Sequence, residues 1–128
     1  MEQQQAPIMV LVTLQQACAR LIRKGSDLAM LRHVPLYVLH VQQNDPDQTA
    51  PAIDVTALNY LYALSGEVGA DMCVLTADVP VTAMANYAAE QRVDTILMGG
   101  GARAAGIAET LSGLLPGVKV IILENEEA

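Results

Sequence analysis

Five apolar runs rich in Val, Ile and Leu recur along the chain, and each is nearly continuous rather than alternating with polar residues. They occupy residues 8–12, 36–41, 72–75, 95–98 and 118–123. Continuous apolar runs of this length indicate strands that are covered on both faces. The pattern therefore predicts five strands of the buried, parallel kind.

The four segments between these runs carry apolar residues at helical spacing, and each set marks one face of a helix. The sets are Cys18, Leu21, Ile22, Gly25 and Ala29; Ala57, Leu61, Leu64 and Val68; Val81, Met84, Ala85 and Ala88; and Ile107, Leu111, Leu114 and Leu115. Asp78 followed by Pro80 indicates a helix start, and Pro116-Gly117 indicates a helix end. The polar stretch 42–49 is predicted to be an exposed loop.

The resulting order of elements, βαβαβαβαβ, predicts an α/β fold. Strands joined by crossover helices run parallel, and right-handed crossovers give an open, doubly wound sheet with helices on both faces. No composition break divides the chain, so we expect a single domain over 1–128, with flexible ends at 1–6 and 124–128. If the strand order is 3-2-1-4-5, ligands bind between the carboxyl ends of the first and fourth strands.

The glycine run after the fourth strand is the strongest candidate for ligand chemistry. Gly99, Gly100 and Gly101 stand between a predicted strand and a predicted helix. Their backbone N–H groups can approach an anion closely, and the next helix directs its positive end to the same point. Arg103 adds a charged donor. A tight turn alone also explains glycines here, so both interpretations stay open.

Composition limits the partners. The chain has 128 residues, 52% of them hydrophobic, and a formal charge of −7 with only seven Lys and Arg. Nucleic acids and anionic membranes require a basic surface, so neither is expected as a partner. The amino-terminal residues show no signal-peptide pattern, and Cys18 and Cys73 are expected to be buried free thiols. We therefore expect a cytoplasmic protein.

Catalytic and metal-binding patterns are missing from the sequence. His33 and His40 lack the clustering of metal ligands, and His40 is expected to be a hydrogen-bonded core histidine. Neither a G-x-S-x-G turn nor a Gly-Lys-Ser/Thr phosphate loop occurs. We expect no catalytic residues, no metal and no enzymatic activity, with weak ATP hydrolysis as the enzyme alternative.

Two stretches resemble the universal stress protein family. The segment 83–99, A-M-A-N-Y-A-A-E-Q-R-V-D-T-I-L-M-G, is similar to the family's approach to its phosphate loop, and Leu36-Tyr-Val-Leu-His-Val41 is similar to its second strand. Within the family, Leu21-Ile-Arg-Lys-Gly25 most resembles the stress-protein domain of potassium-sensing histidine kinases. The resemblance implies the strand order 3-2-1-4-5 and an adenine nucleotide, such as ATP, as the possible cofactor.

The resemblance also suggests which residues contact the nucleotide. Nucleotide-binding members carry G-x2-G-x9-G-[ST] after the fourth strand and an aspartate at the end of the first. Here Thr13 stands at the aspartate position, and neither Gly99 nor Gly100 starts a complete motif. The candidate nucleotide-binding residues are Thr13, Val41, Gly99, Gly100, Gly101, Arg103 and Gly113.

The last strand is predicted to lie at a sheet edge, which needs a partner to avoid aggregation. Family members commonly pair this strand across a two-fold axis, so we expect a homodimer through Val118, Val120 and Ile122.

The leading interpretation is a stress-response or signalling module that acts by binding and dimerisation, with a degenerate nucleotide site. The alternative is a functional sensor of ATP, AMP or cyclic di-AMP; for cyclic di-AMP, Tyr37 matches an aromatic position, whereas Val10 and Val12 replace a serine pair.

Overall fold

The structure, a computed structural model, describes residues 6–47 and 53–123. The ends expected to be flexible, apart from Ala6, lie outside the described residues, and so do the last residues of the predicted loop 42–49. The strands are β1 (Ile8–Leu11), β2 (Leu36–Gln43), β3 (Asp71–Ala77), β4 (Thr95–Gly99) and β5 (Lys119–Leu123). The helices are α1 (Ala19–Arg32), α2 (Val55–Glu67), α3 (Pro80–Gln91) and α4 (Ala104–Leu114), and a short 3-10 helix, Gln16–Cys18, precedes α1.

The sheet has the order β3-β2-β1-β4-β5, and all four strand pairs are parallel. The predicted doubly wound fold and its strand order are therefore confirmed. β1 is central, since Ile8 is in register with Leu36 on one side and with Thr95 on the other. The chain moves outwards from β1 to β3, returns to β4 and then moves outwards in the opposite direction.

The reversal of direction places two helices on each face. Right-handed crossovers put α1 and α2 on one side of the sheet, and the opposite direction of travel puts α3 and α4 on the other. Alternate residues of β1 serve the two layers: Ile8 and Val10 pack with α1 and α2, whereas Met9 and Leu11 pack with α3 and α4. Because both faces are covered, all four side chains are buried.

The expectation that every strand is covered on both faces is wrong for the two outer strands. β3 alternates between exposed and half-buried residues, and Val74 is 40% exposed. Cys73 is consequently half-buried rather than buried, while Cys18 is buried and both are free thiols, as expected. In β5 the four residues after Lys119 are half-buried. A helix layer covers the middle of a sheet more completely than its edges.

Three details of the helices differ from the sequence pattern or refine it. Leu114 was expected on the apolar face of α4 but is 51% exposed, because Leu111 and Leu115 take the inward positions. α3 begins at Pro80 with Val79 as its N-cap, so Asp78 does not cap it. The Asp78 carboxylate instead accepts a hydrogen bond from Asn44 Nδ2 at 2.9 Å. The predicted end of α4 is confirmed, and Gly117 adopts φ 91° directly after Pro116.

Candidate functional site

A cleft of about 260 Å³ opens at the carboxyl ends of β1 and β4, where the strand order reverses. We call it the β1/β4 cleft. Thr13, just beyond β1, and Gly99 to Gly101, at the end of β4, form its floor. Its walls include Cys18, which is the N-cap of α1, Leu21 from α1 and Ile107 from α4. The cleft therefore lies where the fold class is expected to bind ligands.

Five of the seven candidate residues line this cleft, and two do not. Thr13, the three glycines and Arg103 come together there. Val41 is buried in β2, with its side chain in the core layer of α3 and α4. Gly113 lies near the far end of α4, about 14 Å along the helix from its first residue, Ala104, at a rise of 1.5 Å per residue. The binding role of each residue stays a prediction.

Some of the backbone N–H groups around the glycines make a backbone hydrogen bond, and others do not. The Gly100 N–H donates to Leu123 O at 3.0 Å, and the Ala104 N–H donates to Gly101 O at 3.2 Å. The N–H groups of Gly101, Ala102 and Arg103 make no backbone hydrogen bond within residues 6–47 and 53–123. The Arg103 N–H, at the N-cap of α4, is one of the donors that a helix start leaves unsatisfied and belongs to the positive end of the helix dipole, whereas Gly101 and Ala102 precede the helix.

Backbone geometry gives no reason for a glycine at position 101. Among the described glycines only Gly69 and Gly117 have positive φ, so the turn between β4 and α4 does not need that freedom. A Cβ built on Gly101 would meet nothing within 4 Å, whereas one on Gly99 would lie 3.3 Å from Leu21 Cδ1. Close packing therefore does not demand Gly101 either. The missing side chain does leave the space beside the N–H groups open.

Arg103 occupies the N-cap position of α4 without capping it. Its side chain makes no cap hydrogen bond, and the first turn of α4 contains no acidic residue. Arg103 is exposed, and its side chain makes neither a hydrogen bond nor an ion pair within the described part of the chain. A cation beside the positive end of a helix is unfavourable unless an anion binds there. The local arrangement thus favours a negatively charged ligand.

Arg20 is a cleft residue that the sequence analysis missed. It belongs to the exposed side of α1, yet it also lines the β1/β4 cleft. Its position in the first turn of α1, the helix that follows the carboxyl end of β1, is the signal that could have found it. Among the described residues that line the cleft, Arg20 and Arg103 are the charged ones.

His40 of β2 links its strand to Val12, the residue that follows β1 beside the cleft. Its Nδ1 lies 3.0 Å from Val12 O, and its Nε2 lies 3.0 Å from Gln42 Oε1. The residue is only 9% exposed, so the predicted hydrogen-bonded core histidine is confirmed. Val12 lines the cleft, which makes His40 a support for its floor.

Two of the positions compared with cyclic di-AMP binding lie in the core, and the third contacts α3. Val10 is fully buried and Val12 is 6% exposed. The Tyr37 ring makes an edge-to-face contact with Tyr87 of α3, with 6.2 Å between ring centroids. Tyr37 does not line the β1/β4 cleft.

The described residues contain no group of three or more His, Cys, Asp or Glu side chains that could hold a metal ion. No helix within 6–47 and 53–123 has the length and apolar character needed to span a bilayer.

Comparisons with known proteins place the fold. No protein-family model and no curated protein matches the sequence. A universal stress protein structure from Archaeoglobus fulgidus matches with a TM-score of 0.70 and 21% identity, covering 91% of this chain and 92% of the other. A universal stress protein from the same organism in complex with dAMP gives a TM-score of 0.66 and 24% identity over 91% of this chain and 96% of the other.

A third structure, of a universal stress protein in complex with cAMP, matches with a TM-score of 0.62 and 12% identity, covering 96% of this chain and 98% of the other. At identities below 25% these matches show the fold alone. The chain thus has the α/β fold of the universal stress proteins.

Proposed function

We propose that this protein is a stress-response module of the universal stress type that binds an adenine nucleotide in the β1/β4 cleft. The observation that carries the proposal is the glycine turn at the end of β4, where Gly101 and Arg103 line the cleft, their N–H groups make no backbone hydrogen bond among the described residues, and a Cβ on Gly101 would meet nothing within 4 Å. Structures of similar fold have been solved in complex with dAMP and cAMP, which supports an adenine nucleotide as the ligand.

The protein acts by binding rather than by turnover. No His, Asp or Glu lines the cleft, so its described walls offer no ordinary general base. A phosphate-release assay with ATP tests this part, and release above a buffer control would restore the ATPase alternative.

The protein forms a homodimer through β5. Support comes from the position of β5 at the sheet edge, with half-buried apolar side chains. Its cytoplasmic location and its special similarity to kinase-linked relatives stay predictions from the sequence.

Calorimetric titration with AMP, dAMP, cAMP and ATP tests nucleotide binding directly. Gly101→Glu introduces a carboxylate next to the glycine turn, and a Cβ at this position would meet nothing within 4 Å. We expect at least about tenfold weaker binding, because like charges a few ångströms apart repel by more than 1.4 kcal/mol in a partly buried site.

Gly66→Glu is the matched control. Gly66 lies on α2, and a Cβ there also meets nothing within 4 Å, so the charge change is the same but distant from the cleft. Its affinity should equal that of the wild type. The absence of heat with every nucleotide at millimolar concentration would contradict the proposal, and so would equal weakening by the two variants.

A further inference from the structure

The pairing of β1 with β2 ends at Val12, where a side chain replaces a backbone donor. The Val12 N–H donates to Leu39 O at 3.0 Å and continues the parallel ladder. The next bond of that ladder would run from the Val41 N–H to Val12 O, and it is missing from the backbone hydrogen bonds of the described residues. Val12 O instead lies 3.0 Å from Nδ1 of His40. The imidazole therefore stands where the ladder would place a peptide N–H.

The partner of Nδ1 fixes where the His40 ring carries a proton. A peptide carbonyl only accepts hydrogen bonds, so Nδ1–H donates to Val12 O whether the ring is neutral or charged. Nε2 lies 3.0 Å from Oε1 of Gln42. The Gln42 amide offers its oxygen to a doubly protonated ring and, after a half-turn of its end group, an N–H to a singly protonated ring. The bond to Val12 is the same in both states.

Val12 leads directly into the turn that forms one side of the β1/β4 cleft. The Gln15 N–H donates to Thr13 O at 2.8 Å, and the Cys18 N–H donates to Gln15 O at 3.0 Å. The Thr13 hydroxyl oxygen lies 3.5 Å from Cys18 Sγ. All four residues line the cleft. Because these bonds hold the turn together, the place where the Val12 carbonyl is fixed determines where Thr13 and Gln15 lie.

Without a donor at position 40, the Val12 carbonyl has a second partner within the sheet. Leu39 uses its carbonyl oxygen towards β1, and alternate residues of a strand point their backbone groups to the same side. The Val41 N–H therefore points towards β1 as well. A bond from this N–H to Val12 O would extend β1 by one residue and move Thr13 away from the cleft floor. His40 thus favours one of two arrangements of the strand end.

From these contacts we infer that His40 is a positioning residue of the nucleotide site: its Nδ1–H keeps the Val12 carbonyl out of the β1–β2 ladder and so places Thr13 in the β1/β4 cleft. His40 does not line the cleft and acts through Val12, which does. The inference rests on the proposed function and adds a residue that supports the same site.

Nitrogen-15 NMR of the imidazole tests the first step without any ligand. The chain has two histidines, and His33→Asn removes the other one. Position 33 has φ 58°, a left-handed conformation that asparagine tolerates. We expect His40 to carry a proton on Nδ1 in the full chain. A ring that is protonated on Nε2 alone would overturn the inference.

Two substitutions at position 40 test the second step by calorimetric titration with AMP. The side-chain amide of His40→Asn places a nitrogen donor where Nδ1 lies, so the affinity should stay close to that of the wild type. His40→Phe keeps a ring but has no donor, and AMP binding should weaken at least about tenfold, the usual effect when a buried acceptor loses its partner. In His40→Phe the Val41 amide should also gain protection from hydrogen exchange as it bonds to Val12 O.

Thr95→Val is the matched control for the loss of a buried hydrogen bond. The Thr95 hydroxyl is bonded to Arg32 and Asp94 at the amino end of β4, the opposite end of the strand from the glycine turn. Thr95 is 2% exposed, so this variant also loses hydrogen bonds inside the fold. Its AMP affinity should equal that of the wild type. Circular dichroism shows which variants are folded under the conditions of the titration.

The possible failures are distinct. If folded His40→Phe binds AMP as tightly as the wild type, or if Thr95→Val weakens binding as much, the inference is overturned while the proposed nucleotide site stands. If His40→Phe does not fold, His40→Asn is decisive, because a folded His40→Asn with weakened binding overturns the inference. If the wild type binds no nucleotide, the proposed function fails and this inference fails with it.

Discussion

Gly25 marks the closest approach between a helix and the sheet. A Cβ at this position of α1 would lie 2.5 Å from Val10 Cγ2 and 3.1 Å from Leu36 Cδ1. Val10 is fully buried in the central strand, and its branched side chain has little freedom to move aside. The glycine therefore lets α1 pack directly on β1 and β2, below the cleft that α1 helps to enclose.

A pair of alanine substitutions tests this contact. Gly66 also lies in a helix but has open space around its Cβ position. Gly25→Ala should be less stable than Gly66→Ala by about 1–3 kcal/mol, the usual cost of overpacking a core, since both gain helix propensity. Urea unfolding of the two variants measures the difference. Equal free energies of unfolding would show that α1 moves away from the sheet without cost.

At the scale of the elements, β5 is one of the two edge strands of the sheet, and β3 is the other. β5 pairs with β4 on one side only. Val118, Val120 and Ile122 pack on the layer of α3 and α4, and Ile121 and Leu123 on the layer of α1 and α2. An apolar edge strand of this kind is an aggregation hazard unless it is paired or protected.

The two edges of the sheet allow a matched test of the proposed dimer. Val120→Lys places a charge on β5, and Val74→Lys places the same charge on β3, the opposite edge strand. We expect the wild type and Val74→Lys to be dimers and Val120→Lys to be a folded monomer, because a buried lysine at the pairing edge is costly. Light scattering after gel filtration gives the mass. A dimer that survives Val120→Lys and dissociates with Val74→Lys would assign the interface to β3.

At the scale of the whole molecule, stability depends on pH through a tyrosine where three elements meet. Tyr87 of α3 makes an edge-to-face contact with Tyr37 of β2 and lies within electrostatic reach of Cys73 of β3. Burial, reinforced by Coulombic interactions with Cys73, Tyr37 and Asp71, raises the pKa of Tyr87 from 10.0 to about 12. The folded state therefore keeps this phenol neutral over a pH range in which the unfolded chain ionises it.

The direction of the pH effect follows from linkage. The contribution of Tyr87 to stability is complete below about pH 10 and is lost as the pH rises towards 12. The unfolding free energy of Tyr87→Phe should therefore fall less steeply with rising pH, above about pH 10, than that of the wild type. Tyr62→Phe, at a side chain that is 64% exposed, should follow the wild type. Urea unfolding at intervals from pH 8 to about 11.5 measures all three proteins; identical slopes for wild type and Tyr87→Phe would contradict the assignment.

The sequence by itself determined the elements and their order. Apolar runs and helical spacing are local properties, and right-handed crossovers leave few ways to connect five parallel strands. The position of the glycine turn after β4, and with it the location of the cleft, followed from the same pattern. The resemblance of 36–41 and 83–99 to universal stress proteins supplied the strand order.

Only the tertiary structure decided which side chains reach the cleft and how far each strand is buried. Whether Arg20 faces the cleft depends on how α1 is rotated against β1, and Gly113 is kept away by the length of α4. Val41 is buried like the other apolar residues of β2, so the hydrophobic pattern of this strand does not reveal whether Val41 contacts a ligand. These properties arise from distances between segments remote in sequence, which local hydrophobic periodicity does not encode.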